Sequence, residues 1–336
     1  MVTPEDLVNA CFEQNYVKVI KILNNLEKTE YLEDIIMDCF IGSMRFLHQD
    51  LLIRFLDYDE RLALEYFEHY DIFVILYTLE LGLDKLSNKI FDILHKYDNE
   101  ESKKDKLKLK YDNEKYKELI SHTNANDDNI LQICIYSSNS KFVDKILELK
   151  SYGTIDFSHT NNYDQNALML SVNNNMLKTA HKLLEYYDEK TLNYINKEGY
   201  SVFLYSVVNK QYDFMTFLME YDKCNVKYDA TCYYDGKNAL HYLCIFNEMM
   251  YSVRLITKCP ELIYCGDYSS SYPLLYALKG NMNFLVYKIL KLMKHSIKKK
   301  FIIYYPNDNF ECVDDYLKKL SNYDKLYSQF IYEPLL

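Results

Sequence analysis

The sequence predicts an all-α protein, built as a helical-repeat solenoid in which short finger turns join successive pairs of helices. One observation is a period, since an apolar residue that opens a short helix recurs at spacings of 37, 35, 37 and 34 residues. Another is an apolar pair that closes a second helix in every unit. A helix pair of this size cannot bury its apolar face alone, so repetition at this period indicates stacked units. The opening residues are Leu131, Leu168, Phe203, Leu240 and Leu274, and the closing pairs are Ile146-Leu147, Leu183-Leu184, Leu218-Met219, Leu255-Ile256 and Ile289-Leu290.

The first helix of each unit has a start signal two residues before its opening residue. Asn or Ser caps a helix there, because the side-chain oxygen accepts an unpaired N–H of the first turn. In the last unit this position is Tyr272, and Pro273 after it suits the first helical position. The four capping residues are Asn129, Asn166, Ser201 and Asn238.

The break between the two helices of each unit is marked by a residue that we expect to adopt the left-handed backbone conformation. Asn does this more readily than most residues and commonly ends a helix. Each unit is therefore predicted to be a capped helix, a hinge and an amphipathic second helix. The hinges are expected at Ser138-Asn139, Asn175, Lys210, Asn247 and Asn281.

Three of these units carry a resemblance to a known family. They read DQNALMLSVNNNMLKTAHKLLE, EGYSVFLYSVVNKQYDFMTFLM and DGKNALHYLCIFNEMMYSVRLI. They resemble ankyrin repeats, which have a Gly-x-Thr-x-Leu-His-x-Ala opening and a Val-x-x-Leu-Leu second helix. The stretch GKNALHYL at 236–243 is the nearest copy, and His241 holds the position of the family's His. The resemblance implies an ankyrin-type solenoid, in which a hairpin-like finger projects from each antiparallel helix pair.

The chain divides into four parts on this pattern. Residues 1–98 predict degenerate helical, ankyrin-like repeats, and residues 124–291 predict five clear ones. Residues 99–123 are a charged insertion or linker between these parts. Residues 292–336 are predicted to form a C-terminal helical cap, because the core of the last unit needs a cover with a polar outer face.

The composition limits the class of protein and its location. Of the 336 residues, 49% are hydrophobic and 26% charged, which excludes disorder as the main state, and the net charge of −10 disfavours broad nucleic-acid binding. The nine cysteines are scattered, no apolar run approaches the ~20 residues of a membrane span, and the first residues do not resemble a secretory leader. The 35 tyrosines, together with abundant Asn, Lys and Ile, suggest an AT-rich genome. We therefore expect a cytoplasmic protein without membrane contact, in the host-cell cytoplasm if the source is a virus or an intracellular microbe.

Motifs for catalysis, cofactors and metals do not occur in the sequence. It contains no glycine-rich phosphate loop, no Gly-x-Ser-x-Gly and no His-Glu-x-x-His. The candidate zinc ligands lack the short paired spacing of zinc sites. The sequence therefore predicts no enzyme activity, no cofactor and no metal site. Those candidate ligands are Cys224, Cys232, His241, Cys244, Cys259 and Cys265.

The resemblance implies a protein-binding scaffold whose partner contacts the finger tips and the exposed side of the first helices on a concave face. Tyrosine recurs in four successive fingers, and tyrosine is enriched in binding surfaces because it supplies a large contact area at low entropic cost. The sequence does not identify the partner protein, and the chain is expected to be a monomer. Carried over position by position, the partner-binding residues are Asn126, Asp128, Tyr136, Asn162, Tyr163, Gln165, Asn173, Lys197, Glu198, Tyr200, Asn209, Tyr234, Asp235, Lys237, Phe246, Tyr268, Ser269, Ser271 and Lys279.

Other functions stay open at this point. A cluster of lysines near the C terminus could bind nucleic acid or an acidic partner, although lysines near a helix end are also favoured by the helix dipole. An adaptor that recruits a host protein to a ubiquitin ligase is a further alternative, but the Leu-Pro core of such elements is absent. An enzyme within residues 1–120 would need converging polar groups, which the apolar pattern there does not offer. The lysines are Lys288, Lys291, Lys294, Lys298, Lys299 and Lys300.

Overall fold

The structure, a computed structural model, describes residues 3–25, 33–44, 48–60, 62, 74–98, 122–148, 155–223 and 225–331. In these residues the regular secondary structure is helical, and β-pairing is limited to the isolated bridges Thr123–Asn129 and Thr231–Asn238. The prediction of an all-α protein is therefore confirmed. The charged insertion at 99–123 lies almost wholly outside the described residues.

The chain separates into two compact units, Met1–Ala167 and Leu168–Leu336. The boundary falls inside the segment 124–291, which the sequence predicts as one set of five repeats. Each unit is described below by itself. In the described residues, no helix is both long and apolar enough to cross a membrane.

The described part of the first unit consists of helices of 7 to 15 residues that pack mainly on their neighbours in the chain. Within it, α1 packs on α2 and α3, α2 and α3 both pack on α4, and α4 packs on α6. Further along, α5 packs on α6 and α7, and α7 packs on α8. The helix bounds are α1 Pro4–Phe12, α2 Tyr16–Asn25, α3 Glu33–Met44, α4 Gln49–Tyr58, α5 Val74–Glu80, α6 Asp84–Asp98, α7 Ile130–Tyr136 and α8 Ser140–Glu148.

Capping and aromatic packing explain much of the local order in this unit. Thr3 and Asp6 form a capping box at the start of α1, and Asn129 and Gln132 form one at the start of α7. The rings of Phe40 and Phe55 meet edge to face with centroids 6.2 Å apart, which joins α3 to α4 in the core.

The second unit contains the helices of the clearest sequence pattern. Its first helices pack on one another in chain order, α12 on α14, α14 on α16 and α16 on α19, while the second helix α15 packs on α17. Helix α9 begins at the unit boundary. The bounds are α9 Ala167–Asn173, α10 Leu177–Leu183, α11 Glu189–Leu192, α12 Val202–Val208, α13 Tyr212–Glu220, α14 Ala239–Ile245, α15 Met249–Lys258, α16 Pro273–Lys279, α17 Asn283–Met293, α18 Lys298–Tyr304, α19 Val313–Leu317 and α20 Tyr323–Leu326.

The opening residues and hinges lie where the sequence places them. All five opening residues are fully buried, and burying one such side chain contributes roughly 1.5–3 kcal/mol to folding. Each of the five hinges has one residue with positive φ, from +52° at Asn175 to +60° at Asn247. Gln14, between α1 and α2, and Gly82, between α5 and α6, also have positive φ. These N-terminal helix pairs therefore bend in the same way.

Candidate interaction surface

A single side-chain oxygen holds together each of five turns that precede first helices. In the turn 196–200, Oδ1 of Asn196 accepts the N–H groups of Glu198 at 3.1 Å and Tyr200 at 2.9 Å. Asn and Asp favour such turns because their short side chains reach backbone donors two to four residues away. The residues in this role are Asn124, Asn161, Asn196, Asp267 and Asn307.

A sixth turn begins at Cys232 and is one residue longer. The N–H of Cys232 donates to the carbonyl oxygen of Lys237 at 2.9 Å, and Asp235 Oδ1 accepts the N–H of Lys237 at 3.0 Å. Gly236 takes the positive φ of this turn, +73°, as Gly199 does with +87° in the turn before it. A Cβ at position 199 would lie 2.1 Å from the carbonyl oxygen of Thr231, so glycine permits the close approach of these two turns.

Backbone hydrogen bonds connect neighbouring turns in a chain. In the second unit the N–H of Tyr233 donates to the oxygen of Glu198 at 2.8 Å, and the N–H of Tyr268 donates to that of Asp235 at 3.0 Å. The next link runs from Asp308 to Ser269 at 3.0 Å. In the first unit, Asn162 donates to Asn126 at 2.9 Å. The turns of each unit are thereby held in register with their neighbours.

A polar side chain on a first helix fastens the following turn. Nε2 of His241 donates to the carbonyl oxygen of Ser271 at 3.1 Å, and Nδ1 accepts the N–H of Asn238 at 3.2 Å. Burial lowers the pKa of His241 to about 4, so the ring is neutral near pH 7. In the first unit Gln132 has the same role, since its Nε2 donates to the carbonyl oxygen of Gln165 at 2.8 Å.

A tyrosine–carboxylate row lines the junction of turns and first helices in the second unit. The hydroxyl of Tyr242 donates to Asp235 at 3.1 Å, and that of Tyr276 donates to Asp267 at 2.6 Å. The third pair joins Tyr316 to Glu311, also at 3.1 Å. The row is therefore Tyr242–Asp235, Tyr276–Asp267 and Tyr316–Glu311. Burial comes first among the causes that raise the pKa of all three tyrosines, so they stay protonated as donors.

Two lysines compensate the carboxylates of this row. Lys237 Nζ lies 3.1 Å from Asp235 and 3.7 Å from Asp267, and Lys279 Nζ lies 2.6 Å from Glu311. Burial works against ionisation of Asp235, but the backbone N–H and the ammonium group of Lys237 outweigh it and lower the pKa of this carboxyl. The hydrogen bond from Lys279 lowers the pKa of Glu311. The three carboxylates of the row are therefore all paired within the protein, with tyrosine hydroxyls and with lysines.

The tyrosines of the fingers differ in exposure. Tyr163 in the first unit is 67% exposed, and in the second unit Tyr234 is 74% and Tyr268 is 64% exposed. Tyr200 is half-buried instead, and its hydroxyl lies 3.5 Å from Sγ of Cys232. Tyr136, at the end of α7, is 73% exposed.

The other residues proposed for binding fall into three groups. Asn126, Asn162, Asn173, Lys197, Glu198, Asn209 and Lys279 are exposed, whereas Gln165, Asp235, Lys237, Phe246 and Ser269 are half-buried. Asp128 and Ser271 are buried. Their buried positions remove these last two from a surface that a partner could contact.

Asp128 and Ser271 instead hold turns together. Oδ1 of Asp128 accepts the side-chain amide of Asn161 at 2.8 Å, which ties two successive turns of the first unit. The hydroxyl oxygen of Ser271 accepts the side-chain amide of Asn307 at 2.7 Å, and its carbonyl accepts from His241. Position in the finger does not distinguish an outward side chain from one that faces the next turn, which is why both were expected on the surface.

The tyrosines of the row and the last turn are functional features that the sequence pattern did not predict. Each tyrosine of the row is the fourth residue of a first helix, Tyr242, Tyr276 and Tyr316, at spacings of 34 and 40 residues. Tyr205 holds the same position 37 residues before Tyr242, and its hydroxyl donates to Asn173. That recurrence was available in the sequence as a signal. The segment 292–336, predicted as a helical cap, contains the turn Asn307–Glu311 followed by α19, so it repeats the turn-and-helix arrangement.

The lysine cluster is incomplete as a surface feature. Lys299 is 2% exposed, and its Nζ donates to the carbonyl oxygen of Lys294 at 2.9 Å. Lys288 is half-buried, with Nζ 5.3 Å from the ring centroid of Phe284. Lys291, Lys294, Lys298 and Lys300 remain exposed.

Metal ligands do not converge in the part of the chain that the structure covers. There, no group of three or more His, Cys, Asp or Glu side chains is placed to hold a metal ion. Both ring nitrogens of His241 are occupied by the contacts described above, and Cys224 lies outside the described residues.

Comparison with known proteins places few constraints on this chain. No family model matches it, and no curated protein matches it. Among solved structures, a complex of a predatory endopeptidase from Bdellovibrio bacteriovorus with an immunity protein is similar, with a TM-score of 0.45 and 16% identity. The match covers 62% of this chain and 99% of the other chain. A likeness this remote carries no inference about function.

Proposed function

We propose that this protein is a non-enzymatic, ankyrin-type scaffold that binds a partner protein through its finger turns and the exposed sides of its first helices. The observation that carries the proposal is the chain of backbone hydrogen bonds linking the turns at 196–200, 232–237, 267–271 and 307–311. Exposed Tyr234 and Tyr268 lie in two adjacent turns of that chain. Their backbone positions are thus set before any partner arrives.

Preorganisation favours binding at these turns. A surface that is ordered beforehand loses less conformational entropy on association, so more of the contact energy appears as affinity. Tyrosine has a large apolar ring and a hydroxyl that hydrogen-bonds at an interface. Two exposed tyrosines on rigid turns therefore resemble the aromatic anchors on which many protein interfaces depend.

The charge of the surface favours a protein over a nucleic acid. Lys237 and Lys279 lie within ion-pair distance of the carboxylates of the row, so these two ammonium groups are already paired. A nucleic acid needs unpaired cations for its phosphates. A folded protein or a peptide with mixed polar and apolar groups suits the row and the two exposed rings better.

The test compares capture by three full-length proteins. One is the native chain, another carries Tyr234→Ala with Tyr268→Ala, and the matched control carries Tyr304→Ala with Tyr305→Ala. Tyr304 and Tyr305 are also exposed, at 43% and 63%, but they lie at the end of α18 beside the lysines. Circular dichroism should give equal helix content for all three, because changes at exposed residues usually alter stability by less than about 0.5 kcal/mol.

We expect partners from a source-cell extract to bind the native chain and the control but to be lost from the Tyr234/Tyr268 variant. Recombinant partner then gives the affinity of each variant, with an expected loss of roughly tenfold or more for a hot-spot pair. Equal affinity for all three proteins would rule out the finger tyrosines as the site. Loss in the control alone, with steep salt dependence, would instead support acidic or nucleic-acid binding at the lysines.

A further inference from the structure

A thiol pair lines a cavity in the first unit, away from the finger turns. The cavity has a volume of about 450 Å³ and is lined by residues of α1 and α3. Its apolar wall includes Val8, Ile35 and Gly42, and its polar groups include Cys11, Cys39 and Asp38. The thiols therefore face a space that a small molecule can enter.

The two cysteines are unequal in exposure and acidity. Cys11 is half-buried, whereas Cys39 is 6% exposed. A hydrogen bond from the thiol of Cys39 stabilises the Cys11 thiolate and lowers the pKa of Cys11, although burial opposes this. The same contact, together with burial, raises the pKa of Cys39. Cys11 is thus suited to be the nucleophile, and Cys39 to be the neighbouring thiol that resolves the product.

We propose that Cys11 and Cys39 are a peroxide-reactive dithiol, which closes into a disulfide between α1 and α3. The oxidant is hydrogen peroxide or a small organic hydroperoxide that enters the cavity. This modification is independent of the proposed binding of a partner at the finger turns.

The chemistry takes place in two balanced steps. The Cys11 thiolate attacks the peroxide, so an S–O bond forms and the O–O bond breaks. The leaving group, hydroxide from hydrogen peroxide or alkoxide from an organic hydroperoxide, takes a proton from solvent to become water or the alcohol. The sulfur of Cys11, now a sulfenic acid, has lost two electrons to the peroxide. The sulfur of Cys39 then attacks that sulfur while its thiol proton passes to the departing hydroxide, so the S–S bond forms, the S–O bond breaks, and water leaves.

The environments of other cysteines favour this pair as the site of reaction. Cys134 and Cys244 are almost fully buried, and burial raises the pKa of both thiols, to about 12 for Cys244. Burial is also the first cause that raises the pKa of Cys259 and Cys265. Thiols with raised pKa have little thiolate at neutral pH and react slowly with peroxide.

The experiment treats the full-length chain with stoichiometric hydrogen peroxide, blocks free thiols with N-ethylmaleimide and maps peptides by mass spectrometry. We expect a peptide pair joined through Cys11 and Cys39, two hydrogen masses lighter than the reduced pair, which a reductant reverses. In Cys39→Ser, dimedone should label a sulfenic acid on Cys11. In Cys11→Ser, Cys39 should stay unlabelled under the same conditions.

A variant that keeps both thiols tests the role of the cavity. A Cβ at Gly42 would have no atom within 4 Å, so Gly42→Leu places a side chain in the cavity space without a clash at its first carbon. We expect disulfide formation with cumene hydroperoxide to slow at least several-fold in Gly42→Leu, with helix content unchanged by circular dichroism. The proposal is overturned if peroxide leaves Cys11 reduced while other cysteines are oxidised, or if Gly42→Leu reacts as fast as the native chain.

Discussion

Nε2 of His241, on the first helix α14, donates a hydrogen bond of 3.1 Å to the carbonyl oxygen of Ser271, thirty residues further along the chain. This bond fastens the turn 267–271 to the helix that precedes it. Gln132 makes the equivalent bond to Gln165 in the first unit. Two first helices therefore carry a long polar donor at the same position, their third residue, and His and Gln both fill this role.

The first prediction concerns that donor. His241→Ala removes the bond to Ser271 and leaves a cavity, so we expect the free energy of unfolding to fall by about 2–3 kcal/mol. His241→Gln supplies the same kind of donor as Gln132 and should lose less than about 1 kcal/mol. Urea unfolding followed by circular dichroism measures both. Equal losses in the two variants would show that packing, not the hydrogen bond, sets the cost.

The second prediction is a pH dependence that originates from His241. Its pKa is about 4 in the folded chain against an ordinary 6.5, so the folded state disfavours the proton and the unfolded state takes it up first. The stability that the neutral ring contributes is complete above pH 6.5 and is lost as the pH falls toward 4, by at most about 3 kcal/mol. Unfolding free energies of the native chain and His241→Gln should therefore converge, or change order, between pH 7 and pH 4.5. A difference between them that stays constant over that range would contradict the assignment.

The third prediction concerns the side-chain oxygen that organises a turn. Asn196→Ala removes two hydrogen bonds, to the N–H groups of Glu198 and Tyr200, and we expect a loss of about 2 kcal/mol in unfolding free energy. Asn196→Asp retains the accepting oxygen, and Asp267 already fills this role in another turn. Thermal unfolding should place Asn196→Asp within a few degrees of the native chain and Asn196→Ala well below it.

The fourth prediction concerns two glycines that differ in the space available for a Cβ, Gly199 in a turn and Gly42 in a helix. Gly199→Ala places a Cβ 2.1 Å from the carbonyl oxygen of Thr231, on a residue with φ of +87°, so we expect a loss above about 2 kcal/mol. Gly42→Ala lies within helix α3 with free space around the new carbon, and it should instead stabilise by up to about 1 kcal/mol. Chemical denaturation of both variants checks the signs, and a tolerated alanine at 199 would mean that the turns do not approach this closely.

Much of the local structure could be predicted from the residues themselves. Ser201 caps α12, accepting the N–H of Leu204 at 3.2 Å, and Lys210 bends the chain after it with φ of +56°. The helix start and the bend each depend on residues within one helical turn: the start on a capping oxygen, and the bend on the residue at which the chain reverses. Leu168 and Phe203, which the repeat period predicts as core residues, are fully buried.

The surface was predicted less well, because finger residues divide between those facing outward and those facing the next turn. Tyr234 and Tyr268 are exposed. Asp128 and Ser271 are buried and accept hydrogen bonds from Asn161 and Asn307, respectively. The partners of the buried pair lie 33 and 36 residues further along the chain. A sequence pattern that acts over a few residues cannot predict a contact between side chains so far apart in the chain.

The sequence by itself determined that the chain is helical, where its clear helix pairs begin and bend, and which apolar residues those pairs bury. Those features depend on capping, backbone conformation and hydrophobic periodicity, all of which act between residues close in the chain. Only the tertiary structure decided which polar side chains meet across neighbouring turns, that Tyr276 donates to Asp267, and that Cys11 and Cys39 share a cavity. The contacts between neighbouring turns arise when successive helix pairs pack together, because this packing brings residues about thirty positions apart within hydrogen-bonding distance. Tyr276 and Asp267, nine residues apart, meet where a turn packs against the first helix that follows it.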